Sequence, residues 1–311
     1  MTENKPKVLI IGDLLMDYQY WVNKYPQSGG DEEIFESAKN SGGSASNTAV
    51  ALQQQNTNCA LISRVGDDEI GRELCKNLDK LGIDLTCLQV YGQTGYTVTM
   101  IEPNGERTMF SFRMCKDYEP QVTEAMQEML KSAKILCISG YMLQEPKQAE
   151  FVIKAATEAK KFGCMVALDP SPVIGQVSKE VLNNILLCTD ILLPNQDELL
   201  TISECDNLET GIENLLKSVQ CVVVKLGSQG SRFAAREDFS LADGSKLSSD
   251  MDCEVSADKI NVIDTTGAGD SFNAGFMSAF LQGGTPEIWL KTGNELAAKV
   301  ITRKGAISHY L

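Results

Sequence analysis

The segment Ile263-Asp-Thr-Thr-Gly-Ala-Gly-Asp-Ser-Phe-Asn-Ala-Gly-Phe276 concentrates the residue types from which a phosphate-handling site is built. Gly267, Ala268 and Gly269 make a turn free of bulky side chains, and from Ser271 onward Phe272, Phe276 and Phe280 recur at helical spacing. A glycine turn opening a helix aims unpaired backbone N–H groups and the positive helix end at one point, which suits a migrating phosphoryl group. Asp270 stands at the helix entrance. Alone, a Gly-Asp pair there reads as a cap worth about 0.5–2 kcal/mol. Beside an anion hole the same carboxylate can instead take the proton of an attacking hydroxyl, and the combined segment favours that role. The only histidine is His309, so a Ser-His-Asp, Cys-His or multi-histidine zinc site has little to draw on and general-base work should fall to a carboxylate. Two other phosphate motifs are missing: there is no G-x-x-x-x-G-K-[ST], and the first apolar run leads into Gly12-Asp-Leu-Leu-Met-Asp17 rather than G-x-G-x-x-G.

The elements that must position this segment follow from the hydrophobic pattern. Apolar runs of strand length at 7–12, 60–65, 135–139, 165–169, 191–194 and 221–227 resemble parallel strands buried on both faces. Helical periodicity fills the intervals at 46–54, 69–81, 122–131, 147–162, 179–188 and 210–217. Alternating strand and helix implies an α/β fold with a doubly wound, mostly parallel sheet and helices on both faces. Two stretches break the rhythm: 18–37 and 94–112 alternate polar and apolar residues, the second around the turn signal Pro103-Asn104-Gly105. They read as hairpins of a small separate sheet that covers a cleft as a lid or pairs with another subunit; an antiparallel extension of the main sheet is the alternative.

Composition bounds the rest. The chain has 311 residues, 43% of them hydrophobic, enough for one large core, and a formal net charge of −14 that argues against nucleic acid or anionic lipid as partners. Ten cysteines without a C-x-x-C pair suggest thiols in a reducing cytoplasm, and no apolar run approaches the roughly 18 residues of a membrane helix.

Taken together, Asp264-Thr-Thr-Gly-Ala-Gly-Asp-Ser-Phe272, Gly42-Gly-Ser-Ala-Ser-Asn47 and Val65-Gly-Asp-Asp-Glu-Ile-Gly71 resemble the two signatures of the ribokinase-like (PfkB-type) carbohydrate kinases, and the resemblance covers essentially the whole chain. It implies one domain over 1–311 with lid strands inserted at about 18–40 and 91–115, and transfer of the γ-phosphate of ATP to a hydroxyl of a small sugar or sugar acid. Asp270 would be the base, and Gly267, Ala268 and Gly269 the anion hole. Asn195 and Glu198 match an N-x-x-E segment that organises Mg²⁺ through waters; by themselves they would be a helix cap and a surface acid. Lys225, Gly227 and Gly230 resemble a nucleotide loop, with Asn294 near the adenosine. The acceptor side would come from Asp13, Asp17 at the end of the first strand, Gly42, Gly43, Asn47 and Gln144. Arg107 would reach an anionic substrate or phosphate, or remain a solvated loop residue. Asp264, Thr266, Val300, Arg303, Gly305 and His309 match positions that hold K⁺ in potassium-activated members. The apolar face of the alternating sheet is also read as the surface of a homodimer. Leu15 and the Gly-Gly-Ser-Ala-Ser-Asn variant depart from the ribose-specific pattern, whereas Ser139-Gly-Tyr141 and Glu102-Pro-Asn-Gly-Glu-Arg-Thr108 resemble sugar kinases of unassigned specificity. A nucleoside kinase of the same fold and a non-catalytic sugar sensor are the alternatives; the sensor should lack the base, the glycines or the N-x-x-E segment, and none is lost.

Overall fold

The computed structural model describes residues 5–113, 118–247, 249–303 and 305–306. Eight strands form the main sheet: β1 (Val8–Ile11), β4 (Cys59–Ile62), β9 (Ile135–Ser139), β10 (Met165–Asp169), β11 (Ile191–Leu192), β12 (Cys221–Lys225), β13 (Ser231–Ala235) and β14 (Met251–Val255). Four more, β2 (Leu15–Val22), β3 (Ile34–Gly42), β7 (Gly95–Ile101) and β8 (Arg107–Phe112), form a separate sheet, and the short β5 (Arg64–Val65) and β6 (Gln89–Val90) pair with each other.

The main sheet runs in the order β14-β13-β12-β11-β10-β9-β1-β4, parallel from β12 to β4 and antiparallel at β13 and β14. Successive residues of its parallel strands are buried on opposite faces: Val8 and Ile10 of β1 join one core, Leu9 and Ile11 the other. That double burial is why these strands read as unbroken apolar runs. One core is anchored by the aromatic rings of Phe233, Phe276, Phe280 and Trp289.

Several elements depart from the expectation. The run 60–65 divides at Ser63 into β4 and β5, and the run 191–194 yields only a two-residue strand. The antiparallel strands β13 and β14 and the last helix, Pro286–Val300, were not foreseen, and of the helix Gln196–Ser203 only the start was, through its cap Asn195. In the small sheet, order β3-β2-β7-β8, the two hairpins are joined by a parallel pairing of β2 with β7, so the antiparallel extension of the main sheet is ruled out. Asp17 lies inside β2, opposite Asn40 and Thr97, rather than at the end of the first strand.

Helix Ala268–Gln282 is buried nearly all round from Ser271 to Phe280 and packs against helices Ser44–Gln54 and Pro286–Val300. Gly275 and Gly293 make the second contact possible: a Cβ on Gly275 would meet Thr292 O at 2.7 Å, and one on Gly293 would meet the Phe272 ring at 2.8 Å. The helix is thereby fixed along its length, and its N-terminus opens at one end of the main sheet beside Lys225, the last residue of β12.

Candidate active site

Gly267 has the left-handed backbone (φ 75°) that turns the chain into helix Ala268–Gln282, and no side chain caps that helix. The capping alternative for Asp270 is therefore not what forms. Its Oδ1 accepts from Ser44 Oγ at 2.7 Å and its Oδ2 from Asn47 Nδ2 at 2.8 Å, both from the first turn of helix Ser44–Gln54. The amides of Gly267, Gly269 and Asp270 donate to no protein acceptor among the described residues, while Ala268 N is engaged with Thr265 O at 3.2 Å. The open donors of the turn thus include Asp270 in place of Ala268, which corrects the expected set by one residue.

Burial raises the Asp270 carboxyl to about 6, and the negative charge of Asp169 adds to it, against the hydrogen bonds from Ser44 and Asn47 and the charge of Lys225. Lys225 holds this second carboxylate in place. Its Nζ lies 3.1 Å from Asp169 Oδ1 and 3.5 Å from Asn273 Oδ1, and Asn273 Nδ2 donates to Asp169 Oδ2 at 2.9 Å. Burial disfavours the ammonium, but Asp169 and Glu198 outweigh it and hold Lys225 above the ordinary lysine range. A Cβ on Gly269 would stand 3.6 Å from Lys225 Nζ, so a fixed cation sits beside the free amides. None of Asp169, Asn273 and Ser44 was foreseen.

Lys225, Gly227, Gly230 and Asn294 come together around a cavity of about 510 Å³ that reaches Ala268 and Gly269. Its far wall is apolar, with Ile260 and Val262 among the lining residues, and Asn294 Nδ2 is tied to Val255 O at 3.1 Å. Asn195 and Glu198 adjoin this end through a bridge from Asn195 to Lys225. They form a full capping box: Asn195 Oδ1 accepts from Glu198 N and Glu198 Oε2 from Asn195 N, each at 2.8 Å. The cap reading is thus realised, but Glu198 is buried rather than a surface acid, and burial raises its carboxyl against the opposing charge of Lys225.

At the other end, Asp17 is raised to about 6 by burial, with Thr97 and Arg113 pulling it down and Asp270 adding to the rise. Asp13 is likewise raised by burial, against the charges of Arg113 and Arg64. Arg113 was not foreseen. Its Nε faces Asp13 Oδ2 at 3.2 Å and its guanidinium lies 4.0 Å over the Tyr141 ring. Gly42 and Gly43 are required by close approach: a Cβ on Gly42 would stand 2.1 Å from Asp17 Oδ2, and one on Gly43 2.3 Å from the Asp13 carbonyl oxygen. Asp13 Oδ2, Asn47 Oδ1 and Arg113 Nε are buried without a hydrogen-bond partner. Asp13 Oδ2 and Arg113 Nε still face each other as an ion pair, whereas Asn47 Oδ1 has neither kind of partner, and a buried polar atom left unpaired is costly unless a polar ligand completes its bonding. Gln144 is engaged elsewhere, donating to Gln176 Oε1 at 2.9 Å.

Arg107 does not point at a free anion site. Its guanidinium donates to Asp264 Oδ1 and Thr266 Oγ1. Asp264 Oδ1 also accepts from Thr266 N at 2.8 Å and Thr266 Oγ1 at 2.6 Å, and Oδ2 accepts from Gly305 N at 2.9 Å. Three of these four donors converge on Oδ1 and one reaches Oδ2. Of the residues implied for K⁺, Val300 is buried behind this loop, Arg303 is exposed, and His309 lies outside the described residues. Arg107 already supplies a positive charge at the Asp264 carboxylate.

Comparison with known proteins agrees with the geometry. The chain matches the pfkB family carbohydrate kinase pattern over residues 5–310. It is 25% identical to a deoxyribokinase of Salmonella typhi over 97% of this chain and 95% of that protein. It is 29% identical to a nucleoside kinase of Methanocaldococcus jannaschii over 96% of this chain and 91% of that one. The crystal structure of Methanocaldococcus jannaschii nucleoside kinase, an archaeal member of the ribokinase family, superposes with a TM-score of 0.80 at 27% identity, covering 98% of this chain and 95% of that one. A glycine-opened helix with free amides and a held carboxylate, on a ribokinase fold matched from end to end, places this chain in the pfkB family of carbohydrate kinases, phosphotransferases with an alcohol group as acceptor.

Proposed function

We propose that the chain transfers the γ-phosphate of ATP to a hydroxyl of a small neutral sugar, with Asp270 as the base. The observation that carries this reading is the placement of Asp270: held at both oxygens by Ser44 and Asn47, next to unpaired amides, with the 510 Å³ cavity on one side and Asp17 on the other. The triphosphate lies in that cavity with its terminal phosphate at the amides of Gly267, Gly269 and Asp270, and Lys225 adds a fixed positive charge where negative charge develops. Well-placed donors of this kind lower the barrier by about 3–4 kcal/mol each. Asp270 takes the proton of the attacking hydroxyl, and Asp13, Asp17 and Asn47 orient the remaining hydroxyls.

No cluster of three or more acidic, histidine or cysteine side chains that could hold a metal occurs among the described residues. A single buried carboxylate, Glu198, fits a hydrated Mg²⁺ bound chiefly through ATP, since Mg²⁺ sheds its waters reluctantly. When bound, that ion neutralises phosphate charge. K⁺ is left out of the reading because Asp264 is already neutralised by Arg107.

The acceptor end carries Asp13, Asp17 and Asp270 against one close guanidinium, Arg113. This balance disfavours a sugar acid and favours a neutral polyol. A nucleoside acceptor is the second reading, supported by the 29% identical nucleoside kinase. An ADP-release screen over neutral sugars, sugar acids and nucleosides separates the three, and the kinase reading fails if none raises ADP release above ATP hydrolysis.

Because the base must be ionised, kcat/KM for the acceptor should be flat above neutrality and fall as pH drops through about 6, the values to which Asp270 and Asp17 are raised. The two repel one another, so the acid limb should have a slope between about one and two. A profile flat down to pH 5 would remove Asp270 as the base.

The reading includes one catalytic unit over 1–311, with the small sheet as a lid that excludes water from the transfer. It also includes a homodimer through that sheet, supported by Phe35 and Phe110, which are 57% and 54% exposed on its two edge strands. Phe110→Asp should shift the light-scattering mass from dimer to monomer; an unchanged mass would exclude this face. A cytoplasmic setting is supported by nine described cysteines that all carry free thiols.

A further inference from the structure

Arg107 opens β8 in the small sheet, yet its guanidinium ends on Asp264 and Thr266, 157 and 159 residues further along the chain. Thr266 immediately precedes Gly267, where the anion-binding turn begins, and Asp264 stands three residues before it. Asp264 is buried, and Arg107 is the cation paired with it among the described residues. A buried carboxylate stripped of its partner is strongly unfavourable. If the small sheet lifts, Arg107 leaves with it, and Asp264 and Thr266 lose their outer restraint together.

We propose that Arg107 is a positioning residue, the tethered counter-cation of Asp264, which sets the anion-binding turn only when the lid is down and thereby does internally the work of a bound monovalent cation. The inference rests on the kinase reading of the site but concerns its control. With the lid raised, the amides of Gly267, Gly269 and Asp270 sit on a loop whose anchoring carboxylate is uncompensated, so the turn relaxes and ATP is poorly activated toward water. With the lid lowered over an acceptor, the same contact restores the turn. Closure and assembly of the catalytic geometry are then one event.

The test compares wild type with Arg107→Ala and Arg107→Lys. Losing a charged hydrogen-bonding pair should lower kcat of Arg107→Ala on the order of 10- to 100-fold with the acceptor KM little changed. Arg107→Lys should recover part of the loss. Guanidinium or K⁺ in millimolar amounts should raise the turnover of Arg107→Ala relative to choline, and should leave wild type unaffected. Independently of turnover, amide exchange across residues 263–270 should be faster in Arg107→Ala than in wild type without substrates. Three results overturn the proposal: K⁺ activation of wild type, a loss confined to acceptor KM, or unchanged exchange across 263–270. If no acceptor is ever found, the kinase reading fails while the exchange experiment still decides whether Arg107 anchors the turn.

Discussion

Asp270→Asn is expected to lower kcat by about 100- to 10,000-fold, the usual worth of a positioned general base, while leaving ATP binding nearly intact. Asparagine keeps the shape of the side chain but cannot take the proton of the attacking hydroxyl. The same substitution should not weaken the fold. Burial raises the native carboxyl from 3.8 to about 6, so between those pH values the folded chain holds a proton that the unfolded chain releases. Stability therefore falls as pH rises through that window, and above it the ionised Asp270 is a standing cost. Removing the charge removes the cost, so the variant should melt at or above the wild-type temperature at pH 7.5. Loss of turnover with undiminished Tm separates chemistry from folding. A variant that retains wild-type kcat would show that the proton goes elsewhere.

The second large effect is expected at Gly43, which touches no reacting atom. Its φ of 103° is strained for any residue with a Cβ, and that Cβ would lie 2.3 Å from the Asp13 carbonyl oxygen. Because the obstacle is backbone, no rotamer relieves it. Gly43→Ala must move the start of helix Ser44–Gln54, and with it Ser44 and Asn47, the two residues that hold Asp270. A shift of about 1 Å at a catalytic group costs on the order of 100-fold in rate, and strained backbone of this kind costs about 1–3 kcal/mol. Steady-state kinetics should show the rate loss and denaturant titration the lower stability. Wild-type values of both would mean that the Asp13–Gly43 approach does not fix the start of the helix.

Much of the architecture was legible because buried parallel strands leave an unambiguous trace. Runs such as Ile135–Ser139 and Met165–Asp169 are apolar on both faces, and their predicted bounds coincide with β9 and β10. Where backbone chemistry intervenes the trace misleads: Pro194 cannot donate to a ladder, and the expected strand stops at Leu192. The edge strand β14 alternates half-buried and exposed residues and mixes charge with apolar side chains, and β13 carries Arg232 within an otherwise buried segment, so no long apolar run announces either. The last helix does carry a local signal, Thr285 followed by Pro286 at its first position.

At the site, legibility follows how local the determinant is. The glycine turn and Asp270 are contiguous and could be read directly. Ser44, Asp169 and Asn273 are single polar residues whose meaning comes from contacts across 226 or 104 positions of sequence, which no local pattern encodes. Arg107 shows the same limit from the other side: its place beside the turn of the small sheet is local, but its partner, Asp264, lies 157 positions away and is met only in three dimensions.

The two ends of the site are drawn from different stretches of the chain. Asp13, Asp17, Gly42, Asn47, Arg113 and Tyr141 belong to the first half, whereas Asn195, Glu198, Lys225, Gly230 and Asn294 belong to the second. Asp270 with Ser44 and Asn47, and Arg107 with Asp264, are stitches between them. Preference for the sugar and preference for the nucleotide can therefore diverge independently, and a chimera that exchanges only the first half should inherit a new acceptor while keeping its old donor.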